Sequence, residues 1–248
     1  MDKSLLMHKT VIMNKMSKEN NRRRILLKAG IVVATVGGIN LLSSCKSKEK
    51  SEGEGQEVSP PEDLMQEHGL LNRILLIYDN SITRLSNKQS FPVEAITNAA
   101  AIIRSFVEDY HEKQEENYLF PRFENANQLV DLVQTLRQQH QTGRNLTDQI
   151  TQLSKQATRT DKETERLIQL LNSFNRMYRP HEAREDTVLF PAFRKLVSKN
   201  EYDSLGEEFE NNEHRLFGEG GFETMVDKVA AIEKSLGIYE LAQLMPQV

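Results

Sequence analysis

The chain of 248 residues has room for one compact domain of ordinary size, or for such a domain with extensions. It has no tryptophan, 6% aromatic residues and 27% charged residues, a composition that suits amphipathic helices in water and not a chiefly membrane-spanning protein. Its net charge of −4, with Lys and Arg dispersed outside the N-terminus, offers no basic stripe for nucleic acid, and the lone cysteine excludes a disulfide or thiol pair within the chain.

The first predicted element is an export signal. Arg23-Arg24-Ile25-Leu26-Leu27-Lys28 resembles the twin-arginine consensus, and the apolar run from Ala29 to Leu42 is 14 residues long, too short to span a bilayer comfortably. Leu42-Ser43-Ser44-Cys45 resembles a bacterial lipobox, in which cleavage precedes a cysteine that receives lipid. Residues 1–44 are therefore expected to be a signal peptide, and lipid on Cys45 to hold the mature chain on the periplasmic or extracytoplasmic face of a bacterial membrane. Residues 45–61, charged and rich in Ser, Gly and Pro, read as a flexible tether.

Four amphipathic helices follow within residues 62–196. The stripe Leu64, His68, Leu71, Leu75, Tyr78, Ile82, Leu85 alternates steps of four and three, the seam of a bundle helix. A second helix, after Pro92, shows Ile96, Ala100, Ile103, Val107, His111, Glu115 and Tyr118 on one face. The third shows Leu129, Val133, Leu136, His140, Gly143, Leu146 and Ile150, and the fourth, from about Asp161, shows Leu167, Leu171, Phe174, Tyr178, His181, Glu185 and Val188. Short connections predict an all-α, up-down-up-down antiparallel four-helix bundle. Pro121 and Pro191 should kink or end their helices near each Leu-Phe-Pro, and Pro180 should bend the fourth. Residues 197–248 form a C-terminal extension with helical patterns at about 199–216 and 222–237, separated by a break at Gly218-Glu219-Gly220-Gly221.

One phrase occurs twice, HEKQEENYLFPRF from His111 and HEAREDTVLFPAF from His181. Residues four apart share a helix face one turn apart, so His111 with Glu115 and His181 with Glu185 are matched donor pairs. A lone histidine precedes each copy, His68 by 43 residues and His140 by 41. The chain thus reads as a duplicated helical hairpin offering four imidazoles and two carboxylates to one interior. Imidazole suits iron and a carboxylate can bridge two ions, so the set fits a paired transition-metal site. A glutamate is almost never buried unpartnered, and no Lys or Arg shares these stripes, so metal charge is the expected compensation.

On these residues the chain resembles the hemerythrin-like, or HHE cation-binding, family over about residues 62–196. The resemblance implies a non-heme di-iron centre carried by His68, His111, Glu115, His140, His181 and Glu185, with Glu115 and Glu185 bridging two iron ions beside an oxo or hydroxo bridge. Oxygen-carrying hemerythrins use five histidines, one Glu and one Asp, whereas four His and two Glu are similar to the iron-sulfur cluster repair proteins and related domains. The expected function is binding or reduction of oxygen, peroxide or nitric oxide, with electrons from an outside donor. The alternatives are iron sensing, storage or delivery without turnover, the repair activity, or a structural metal such as zinc. Tyr118 and Tyr178 share the ligand faces and could hydrogen-bond a bound ligand. Glu112 and Glu182 point about 100° away from the ligand histidines they follow, which suits supporting or solvent roles, and His214, with Gly218 four residues on, lacks an acidic partner.

Overall fold

The structure, a computed structural model, describes residues 59–245; the expected signal, Arg23, Arg24, Cys45 and most of the expected tether lie outside the described residues. Helix α1 spans Pro60–Ser86. It starts two residues before the expected boundary because Ser59 caps it: the Glu62 carboxylate accepts from the Ser59 backbone N–H at 3.0 Å and from its hydroxyl at 2.8 Å. Pro60 then costs nothing, since a first-turn residue has no intrahelical N–H bond to lose.

Helix α2 runs without a break through residues 94–125, α3 spans Val130–Ser154, and α4 runs through 161–196. Thr160 caps α4, its hydroxyl accepting from the Glu163 N–H at 3.3 Å. Leu129, expected on the buried stripe, instead precedes α3 in a left-handed conformation (φ 49°) with its side chain exposed. The turn out of α2 takes up that position, so the buried face of α3 begins at Val133. Helices α1 and α3 each pack on both α2 and α4, closing an antiparallel four-helix ring. Among the described residues there is no strand, and no helix is long and apolar enough to cross a membrane.

The C-terminal extension folds onto this ring. Helix α5, Lys199–Phe217, packs on α1, and α6, Gly221–Leu236, packs on α1, α2 and α5. The break between them uses Gly218 and Gly220 at φ 79° and 69°, values that favour glycine. Arg73 of α1 grips Glu233 of α6 at 3.0 Å, and Arg84 donates to the Leu236 carbonyl at 2.7 Å.

Two apolar clusters fill the interior. One joins Leu71, Ile74, Tyr78, Ile103, Phe106, Ile150, Leu171 and Phe174 to Met225 and Val229 of α6. The other joins Leu64, Val133 and Leu136 to Leu119, Phe120 and Phe123 and to Leu189, Phe190 and Phe193, the residues of the two repeated phrases, with Leu205 and Phe209 of α5. Each fully buried Leu or Phe contributes about 1.5–3 kcal/mol. On every ring helix the polar residues His68, His111 with Glu115, His140, and His181 with Glu185 fall between the segments feeding these clusters. The apolar packing thereby fixes one polar layer across the bundle.

Candidate metal centre

The ligand segments are wound more loosely than an ordinary α-helix. Phe120 donates its backbone N–H to the Glu115 carbonyl and Phe190 to that of Glu185, five residues back instead of four. A similar wide turn leads into the site, where the Glu112 N–H reaches the Val107 carbonyl. Such π-turns concentrate at functional sites. Each of the first two stands directly before a proline of Leu-Phe-Pro. A proline has no N–H, and its ring needs room at the carbonyl four residues earlier, here Asn117 or Thr187. The wide turn supplies that room, so the helices continue past Pro121 and Pro191 and do not end there. Pro180 is likewise accommodated inside the continuous Asp161–Arg184 segment.

All six expected donors converge. Nε2 of His68 and Nε2 of His181 lie 3.4 and 3.1 Å from Oε2 of Glu185, and Nε2 of His140 and His111 lie 3.3 and 3.9 Å from the two oxygens of Glu115. Glu115, His140, His181 and Glu185 offer donor atoms within 4.8 Å of one another, as do His68, His111 and Glu115. The His68 and His111 rings are 4.7 Å apart and those of His140 and His181 5.0 Å, so the set divides into two half-sites that share the carboxylates.

The outer nitrogen of every ring is also held, each time by a residue the sequence reading did not single out. Nδ1 of His68 meets Asp186 at 2.7 Å, His111 meets Glu67 at 2.7 Å, His140 meets Glu116 at 3.1 Å and His181 meets Gln139 at 3.0 Å. The pattern is cyclic, with each helix's histidine gripped from the helix before it and that of α1 gripped from α4. An Nδ1–H donated outward fixes the tautomer that leaves Nε2 free to bind a metal. Phe190 stacks on His68 and Phe120 on His140, both at 5.5 Å, so the repeated phrase walls the site as well as supplying ligands.

The inward atoms lack partners of their own. Both oxygens of Glu115, both of Glu185 and Nε2 of His140 are buried with no hydrogen-bond partner. Leaving such groups unsatisfied costs about 1–3 kcal/mol each, and a cation among them removes that cost. Burial and the neighbouring Glu185 push the Glu115 carboxyl well above the usual range, whereas His181 and His68 draw Glu185 well below it despite equal burial. His68 is raised well above its ordinary value by Asp186 and Glu185 against the effect of burial. Burial, reinforced by His68, lowers His111, and burial with His181 beside it takes His140 down to about 4. With His68 and Glu115 pushed up and Glu185, His111 and His140 pushed down, the proton content of this set differs from that of free side chains, and metal binding would change it.

Comparison with known proteins agrees with this geometry. The family described as Hemerythrin HHE cation binding domain matches residues 59–193 and again residues 131–236. The chain belongs to the hemerythrin HHE cation-binding family. It is 46% identical over 234 residues to uncharacterized proteins of Mycobacterium bovis and of two Mycobacterium tuberculosis strains, covering 90% of this chain and 91% of theirs. No solved structure matches it.

Other expected residues of this hemerythrin-like domain fall differently. The Tyr118 hydroxyl turns away from the ligands, donating to Glu208 of α5 at 3.0 Å and lying 3.3 Å from the Asn212 amide. Its candidacy as a partner for a bound ligand is therefore corrected. The wide turn at 115–119 is the reason, since it rotates everything after Glu115 off the expected face. Tyr178 stays beside the site, its ring 5.4 Å from that of His181. Its hydroxyl donates at 2.8 Å to Glu112, which Arg144 holds at 2.7 Å. Gly143 makes this possible, because a Cβ there would overlap the Tyr178 hydroxyl. Glu112 and Glu182 are both buried, Glu182 accepting from Asn72. Burial raises each of them, Glu182 to about 8. His214 is exposed near Glu219 and away from the centre.

Proposed function

We propose that the chain is a non-heme di-iron protein that binds or reduces oxygen, peroxide or nitric oxide, and that it is exported by the twin-arginine route and anchored to a bacterial membrane by lipid on Cys45. The observation that carries the chemical part is the inward convergence of four imidazole nitrogens on two buried carboxylates whose oxygens receive no hydrogen bond. Imidazole nitrogen with carboxylate oxygen favours iron over ions that want all-oxygen or thiolate shells. His68 and His111 would hold one ion, His140 and His181 the other, and Glu115 and Glu185 would bridge them. Two adjacent irons supply a pair of one-electron couples, which suits two-electron reduction of a small oxidant.

The surrounding residues support that role. Phe120 and Phe190 close two sides of the centre to water, which strengthens every electrostatic interaction inside. Glu67, Asp186, Glu116 and Gln139 keep the rings oriented before metal arrives, so little ordering remains on binding. The Tyr178 hydroxyl donates to the Glu112 carboxylate one ring from His181. From Glu112 a chain of ion pairs runs through Arg144 to Glu116 and on to Lys113, 44% exposed, which ties the buried carboxylate to charges nearer the surface.

The test is rapid mixing of the anaerobic, iron-loaded protein with oxygen, peroxide and nitric oxide while its optical spectrum is followed. Oxidation of the centre by oxygen or peroxide, not undone by removing the oxidant, is expected, together with a nitric oxide spectrum. Oxygen taken up and given back unchanged would mark a carrier, and inertness to all three would mark iron handling.

A further inference from the structure

The duplication that builds the centre is imperfect in its charges. Aligning the copies of the phrase pairs His111 with His181 and Glu116 with Asp186, and aligning the lone histidines pairs Glu67 with Gln139 and Asn72 with Arg144. Each member of a pair does the same job in its own half. Glu116 and Asp186 hold His140 and His68, Glu67 and Gln139 hold His111 and His181, and Arg144 and Asn72 donate to the buried Glu112 and Glu182. Two of these pairs differ by a full charge. Glu67 carries −1 where Gln139 carries 0, and Asn72 carries 0 where Arg144 carries +1.

Both differences act in the same direction. The half-site of His68 and His111 is backed by two carboxylates, Asp186 and Glu67, each 2.7 Å from its ring nitrogen. The half-site of His140 and His181 is backed by an amide and by a carboxylate, Glu116, that also binds Lys113 at 2.5 Å and Arg144 at 2.7 Å. Glu67 is 3% exposed, so water screens it little. A carboxylate behind an imidazole also makes that ring the stronger donor.

Resting on the metal-centre reading, we infer that the two half-sites are unequal by construction: the His68/His111 half-site fills first and holds the higher ionic charge, and Glu67 is the residue that sets the order. Glu67 is a positioning residue, touching His111 and not the metal.

The experiment is stepwise titration of the metal-free protein with Co(II), read by its visible ligand-field bands and by calorimetry, on wild type, Glu67→Gln and Gln139→Glu. Mutual repulsion of two close cations separates the two binding steps even in a symmetric site, so the decisive quantity is which step each variant moves. Glu67→Gln should weaken the first step by about 10–100-fold, the range typical of lost partners behind a ligand. Gln139→Glu should instead strengthen the second. Weakening confined to the second step in Glu67→Gln is what equal half-sites or the reverse order give, and it overturns the inference, as does tightening of the first step in Gln139→Glu. Helical circular dichroism of both variants verifies folding, and Gln139→Glu removes nothing from the core. Wild-type protein that binds no Co(II) would defeat the metal-centre reading itself, and this inference with it, whereas two bound ions with the wrong variant pattern would defeat the inference alone.

Discussion

Replacing Glu115 with Leu should raise the stability of the metal-free protein while abolishing the centre. Glu115 has no exposed surface, and neither of its oxygens has a hydrogen-bond partner. An unsatisfied buried polar group costs about 1–3 kcal/mol, and a leucine of similar volume removes that cost without opening a cavity. For a domain of this size about 1 kcal/mol corresponds to roughly 2–4 °C in Tm, so the metal-free variant should melt roughly 2–12 °C above wild type. With metal the order reverses, because a ligand at a thousand times its Kd stabilises the native state by about 4 kcal/mol and the variant cannot collect it. Scanning calorimetry in chelator and in anaerobic Fe(II) measures both arms. Glu185→Leu is the contrast: its oxygens also lack hydrogen bonds, but His68, held above its ordinary value, faces that carboxylate, itself held below its own, at 3.4 Å, and removing one partner of a buried ion pair costs about 3–5 kcal/mol, so this variant should lose stability even without metal. A Glu115→Leu protein that melts below wild type in chelator would refute the reasoning, since the carboxylate would then be serving the fold and not a cation.

Metal loading should release protons, because His68 and Glu115 are both held above their ordinary values in the metal-free site and bind metal only without a proton on the ligating atom. Protons compete with metal, so affinity should fall as pH falls, and calorimetry in buffers of different ionisation enthalpy should show net proton release on loading, where none would contradict the assignment. Gly143→Ala should destabilise by about 1–3 kcal/mol through overlap with the Tyr178 hydroxyl, and adding Tyr178→Phe should recover part of the loss in a double-mutant cycle. Tyr118→Phe should leave iron content at the wild-type level, because that hydroxyl serves α5. Changing Arg23 and Arg24 to Lys should strand precursor in the cytoplasm, and Cys45→Ala should block lipidation, both read by fractionation and mass spectrometry; a lipid-free mature wild-type protein would remove the anchor from the account.

The bundle was legible because burial on a helix has a period: the stripes through Leu64–Tyr78 and Leu167–Tyr178 are buried where their spacing placed them. The six donors were legible for the same reason, as each occupies a stripe position. What failed was local winding. No spacing rule announces an i→i+5 turn, and the one signal, a proline six residues after each Glu, reads equally well as a kink. Tyr118 went astray by that turn. The residues behind the histidines were hidden for another reason. Glu67, Glu116, Gln139 and Asp186 each sit next to a ligand in sequence, so on their own helix they point away from the ligand face. Only the packing angle of the neighbouring helix brings another histidine to them. The charge difference between Glu67 and Gln139 was visible in the aligned repeat, but its meaning required knowing which ring each one holds.

The central claim is that these six residues hold two metal ions, and metal analysis of protein purified without oxygen tests it most directly. About two irons per chain are expected in the wild type, with most of that iron lost in Glu115→Leu and the His214→Ala content unchanged. A wild-type protein carrying one ion or none after loading, or a Glu115→Leu protein that keeps both, would contradict it.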